Sequence, residues 1–117
     1  MRRAFACAFV ILLAGCQHYP TRYSWGSYEN LIYVSYAEPG QLTPEAQVDA
    51  LEKDEQLAAS RKWPMPPGWH AHLGYLYAQI GRPDDAAREM AAEKTEFPES
   101  AVFVDHLLDN LKRTPPQ

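Results

Sequence analysis

Cysteine is scarce in this 117-residue chain, with only Cys7 and Cys16, so residues 17–117 hold no thiol for a disulfide, a zinc–thiolate site or a cysteine nucleophile. Glycine is also sparse, at 6 residues, and no glycine-rich phosphate loop, G-x-S-x-G or H-E-x-x-H occurs. No apolar run reaches the roughly 20 residues that span a bilayer. Cations are outnumbered, 11 Lys and Arg against 15 Asp and Glu, which argues against a nucleic-acid partner.

What is present begins with Met1-Arg2-Arg3, an apolar stretch from Ala4 to Leu13, and small residues before Cys16. This is the pattern of a secretory signal peptide. Leu13-Ala14-Gly15-Cys16 resembles the lipobox of bacterial lipoproteins, which implies a covalent lipid on Cys16 and cleavage before it, taking Cys7 away. Multiple acyl chains, each buried methylene contributing about 0.8 kcal/mol, would make such an anchor effectively permanent. Gln17 follows in place of the aspartate associated with inner-membrane retention in enterobacteria, so the analogy points to the periplasmic face of the outer membrane. Cleavage removes Arg2 and Arg3 and no acid, leaving 9 cations against 15 acids, a net charge of −6. The organisation expected is signal peptide 1–15, lipidated N-terminus and tether 16–24, one helical domain 25–113 and a tail 114–117.

Prolines punctuate the rest into helix-length segments. The first, around Trp25 to Tyr36, is aromatic enough to pass for a strand. The second starts at Thr43-Pro44-Glu45, an N-cap, a first-turn proline and a first-turn acid, and should end near Lys62. A third runs from the Pro66-Pro67-Gly68 break to Gly81, placed as a left-handed residue past the helix end. Asp84 should start a fourth, running Ala86 to Glu96, and a fifth from Glu99 or Ser100 has Val104, Leu107, Leu108 and Leu111 on one face. The class expected is all-α.

Paired helices call for a repeat test. The tetratricopeptide pattern W-x2-L-G-x2-Y, then A-x3-F, then P, falls on His70, Leu73, Gly74, Tyr77, Ala86, Met90 and Pro98. Gly74 and Ala86 would let two helices approach closely while Leu73, Tyr77 and Met90 fill the contact. Glu93 stands where a small residue is usual. A step of 34 residues puts Trp69 on Phe103 and Leu73 on Leu107, so the fifth helix reads as a cap on two helix pairs. Residues 44–62 become the second helix of an earlier repeat.

In that register His70 points inward, while His72, Tyr75, Gln79, Asp105, His106 and Asp109 share one groove face suited to a partner. His72 and His106 supply too few ligands for a metal, which needs three or four converging groups. Asp84-Asp85 reads as helix capping, and Glu52, Asp54 and Glu55 as a solvated face. No catalytic residue, metal or further cofactor is expected.

The lipobox, Trp25-Gly26-x-Tyr28, Glu38-Pro39-Gly40, Pro66-Pro67-Gly68-x-His70-Ala71-His72-Leu73-Gly74 and Phe97-Pro98-Glu99-Ser100-Ala101-Val102-Phe103 together resemble a family of short proteobacterial outer-membrane lipoproteins of unknown function. The resemblance implies neighbours: a lipoprotein similar to the curli secretion channel and a second small lipoprotein. A non-enzymatic protein–protein adaptor is the reading favoured. The alternative is an envelope small-molecule or glycan-binding protein, or an enzyme, with His72, Tyr75 and His106 lining its site.

Overall fold

The computed structural model describes residues 21–113; the segment 1–15 expected to be a signal peptide, Cys16 and the tail 114–117 lie outside them. The described chain is all-α, with five helices: α1 (Tyr28–Ala37), α2 (Pro44–Arg61), α3 (Trp69–Gln79), α4 (Pro83–Glu96) and α5 (Ala101–Arg113), the last preceded by a 3-10 turn at Pro98–Ser100. None of the described helices is long and apolar enough to cross a membrane. The aromatic first segment is therefore helical, beginning three residues later than Trp25.

Local chemistry sets most boundaries. Thr43 caps α2 through its side chain, which accepts from the Ala46 amide with Pro44 in the first turn. Left-handed Lys62 ends that helix, and left-handed Gly81 follows α3. At α4 the expectation fails in detail. Arg82 and not Asp84 is the N-cap, no side chain caps it, and Asp85 instead bonds Arg82 and Arg88. Pro83 at the first position has no amide to satisfy, so the helix can open one residue early without an acidic cap.

The tightest helix pair is α3 with α4, and Gly74 is why. A Cβ there would come within 3.1 Å of the Ala86 carbonyl and of Met90 Cε. Leu73, Tyr77, Ala86 and Met90 are buried around that contact. On one side of α3 the core joins Leu31, Val48, Leu51, Ala58 and Trp69. On the other, Ala71, Met90 and Val104 are buried, with Leu107, Leu108 and Leu111 of α5 packed against them.

No two equivalent helices start 34 residues apart: α3 and α5 come nearest, at 32, while α1 and α3 are 41 apart and α2 and α4 39. The 18-residue α2 and the long connection from Lys62 to Gly68 account for the excess. Trp69 and Phe103, equivalent by that step, also differ: Trp69 is 0% exposed and Phe103 59%. Trp69 lies on a helix packed between α2 and α4, whereas α5 has neighbours on one side among the described residues.

Each helix pair also closes with a carboxylate from its second helix on the start of its first. Asp54 of α2 accepts from the Ser27 amide at 2.6 Å, at the start of α1. Glu93 of α4 accepts from the Gly68 amide at 2.8 Å and the Ala71 amide at 3.4 Å, at the start of α3, and from Ser100 Oγ at 3.0 Å. The orphan amides and positive end of a helix favour a carboxylate there. Asp54 is thus not on a solvated face. Neither is Glu52, half-buried and bonded by the Tyr77 hydroxyl at 2.6 Å, nor Glu55, whose carboxyl is pushed up by burial and by neighbouring Glu89.

Candidate functional site

The first helices of the units, α1, α3 and α5, line one groove of about 650 Å³. From α1 come Tyr28, Ile32, Ser35 and Tyr36; from α3, Ala71, His72, Tyr75, Leu76 and Gln79; from α5, Phe103 and Leu107; the α1–α2 connection closes one end with Glu38, Pro39 and Leu42. On α3, positions 72, 75 and 79 fall on one side because steps of three and four residues return to the same helix face.

The polar atoms of this wall mostly bond one another. Gln79 Nε2 donates to the Tyr75 hydroxyl at 2.9 Å. Ser35 Oγ donates to Gln47 Oε1 at 3.0 Å, and Gln47 Nε2 donates to the Leu42 carbonyl at 3.3 Å, pinning the α1–α2 connection. The surface left for contact is aromatic and aliphatic, and among the described residues Glu38 is the only charged one in the lining.

His72 stands apart. Its ring lies 5.9 Å from that of Tyr28, which in turn stacks on Trp25 at 6.4 Å. Its Nε2 is buried and has no partner among the described residues, and burial holds its pKa below the ordinary 6.5. His70, expected as a packing residue, does more. Its Nδ1 lies 2.8 Å from Glu89 Oε2 and its Nε2 3.7 Å from Glu96 Oε1. Burial works against its charge, but the bond to Glu89 and the charges of Glu89, Glu96 and Glu55 outweigh that and raise its pKa.

The structure brings together only half of the expected groove set. His72, Tyr75 and Gln79 line it; Asp105, His106 and Asp109 do not. Asp105 pairs with Lys94 at 2.7 Å, Asp109 with Lys112 at 3.7 Å, and His106 is exposed. Val104, Leu107, Leu108 and Leu111 turn α5 inward. At about 100° per residue, positions 105, 106 and 109 then point outward. His72 and His106 consequently do not share a site. Phe103 and Leu107, one register position away, take the groove side instead. Tyr28 and Ile32 were hidden by the uncertain helix phase of the first segment, and Glu93 by its reading as a misfit in the repeat.

A family model described as Domain of unknown function (DUF4810) matches residues 22–107. The chain belongs to that family. The matched span runs from just before α1 to the middle of α5, so it contains every groove-lining residue. No curated protein and no solved structure gives a match. The family supplies no catalytic or ligand-binding residue to carry onto the groove.

Proposed function

We propose that this DUF4810 protein is an outer-membrane lipoprotein, held at the periplasmic face through lipid on Cys16, that acts as a non-enzymatic adaptor binding a segment of a protein partner in the α1–α3–α5 groove. The observation that carries the reading is the groove wall. Ser35, Gln47, Tyr75 and Gln79 spend their polar groups on bonds within the wall, which leaves the rings of Tyr28, Tyr75 and Phe103 and the side chain of Leu107 as contact surface. Aromatic residues of this kind give large rigid contact area at low entropic cost. The resemblance drawn from the sequence makes a curli-secretion-channel-like lipoprotein the partner to test first, with the second small lipoprotein beside it.

The test is co-purification of the membrane-extracted protein with that lipoprotein, comparing the native chain with Tyr75→Ala plus Phe103→Asp. Phe103 is well exposed, so the pair should keep its helical circular dichroism and lose the partner. Retained co-purification would move the partner site off the groove. A second reading, a glycan or small envelope molecule, draws on a volume within the range of about 300–1,000 Å³ usual for ligand pockets and on the unpartnered His72 nitrogen. Glycan-dependent stabilisation of the purified chain, with no protein co-purifying, would favour it.

A further inference from the structure

The cations of this acidic protein are not evenly used. Every ion pair among the described residues engages Arg82, Arg88, Lys94, Lys112 or His70. Lys53, Arg61 and Lys62 enter none of them. Lys53, Leu57 and Arg61 follow one another at four-residue steps along α2, so they form one exposed ridge. The ridge runs into Lys62 and Trp63. Leu57 is 49% exposed and Trp63 51%, and the Arg61 guanidinium lies 5.9 Å from the Trp63 ring centre. No acid is exposed between Lys53 and Trp63. The two carboxylates of that stretch, Asp54 and Glu55, are half-buried, Asp54 bonded to Ser27 and Glu55 beside Glu89.

The same end of the molecule receives the N-terminal strand of chain. The Ser24 amide donates to the Pro64 carbonyl at 2.8 Å, which fixes residue 24 beside Trp63, with exposed Arg22 two residues earlier. Tyr23 packs edge-on against Phe97 at 6.2 Å, so residues 23 and 24 belong to the domain and not to the tether assigned to 16–24. Ser24 lies eight positions after Cys16, at most about 28 Å of chain.

We propose that the Lys53–Leu57–Arg61–Lys62–Trp63 ridge is a membrane-docking surface that lies on an anionic phospholipid leaflet beside the anchor. This rests on the reading of Cys16 as lipidated, which brings the ridge within tether reach of the bilayer. The chemistry is complementary. Cations meet lipid phosphates, a tryptophan sits at the headgroup level and a leucine enters the acyl boundary. Docking holds the domain flat on the leaflet in one orientation, which sets the direction in which the groove faces.

The probe is the full chain purified from membranes and reconstituted into vesicles of phosphatidylethanolamine and phosphatidylglycerol, with lipids brominated near the headgroup as quenchers of tryptophan fluorescence. The native protein is expected to be quenched, more weakly as salt rises and weakly in phosphatidylcholine vesicles. Trp63→Phe should lose most of the quenching although Trp25 and Trp69 remain. Arg61→Glu with Lys62→Glu should lose it while still sedimenting with the vesicles. Quenching that survives in Trp63→Phe, or its absence in the native chain, would overturn the ridge. An unacylated Cys16 mass would refute the anchor alone, since Trp63 quenching by added vesicles decides the ridge whichever way that mass falls.

Discussion

The Glu93 carboxylate, on α4 and fully buried, accepts the Gly68 amide at 2.8 Å and so serves as the N-cap that α3 does not have. Gly68 is left-handed, at φ +86°, and a Cβ there would meet the Tyr28 hydroxyl at 3.0 Å. One acid therefore joins the starts of α3 and α5, and its charge reaches Tyr28, whose pKa is raised mainly by burial and next by Glu93. Glu93→Ala strands the half-buried Gly68 amide and the buried Ala71 amide, and an unsatisfied buried group costs about 1–3 kcal/mol. The expected loss is about 3 kcal/mol in urea unfolding. Glu93→Gln, which keeps the shape and an acceptor oxygen, should lose less.

Gly74 supports a second expectation. A leucine there gains roughly 1 kcal/mol of helix propensity over glycine but must enter a gap where even a Cβ comes 3.1 Å from the Ala86 carbonyl. Overpacking typically costs about 1–3 kcal/mol, and a leucine side chain is at the upper end because the obstructing atom is backbone. Gly74→Leu should lower the melting temperature. A rise would show that the α3–α4 approach is not set by this residue.

Cys16→Ser tests the anchor. The substituted protein should be washed from membranes by high salt, which screens the charged ridge, whereas the native protein should stay, and the native N-terminus should carry the mass of acyl chains when the purified protein is measured. A mature protein with an unmodified Cys16 thiol would refute lipidation.

The residue patterns made the helices legible where capping chemistry was strong, as at Thr43-Pro44 and Gly81, and where packing demanded small residues, as at Gly74 and Ala86. They failed where two periodicities competed on one helix. On α5 the repeat step assigned Asp105, His106 and Asp109 to the groove, while the Val104–Leu107–Leu108–Leu111 stripe already required those positions to face outward; burial decided it. Acids were the other failure. Asp54 and Glu93 read as solvent-facing or misfit because their amide partners lie 27 and 25 residues away in the chain, at separations that local spacing does not encode.

The two histidines of α3 should respond to pH in opposite senses. His70 has a folded-state pKa raised above the ordinary 6.5, because Glu89, Glu96 and Glu55 outweigh its burial. Its contribution is fully present below that ordinary value and is lost as pH rises through the raised folded value. His72 has a folded-state pKa lowered by burial. Folding therefore opposes its protonation, and stability is lost as pH falls below 6.5 towards the lowered value. Urea unfolding between about pH 5 and pH 8, where histidine charge changes, separates the two. The advantage of the native chain over His70→Gln should be largest at the acid end and shrink as pH rises. Relative to His72→Gln the native chain should do worst at the acid end and recover as pH rises. Parallel pH profiles for the two variants would show that neither the Glu89 pairing nor the burial of His72 governs their protonation.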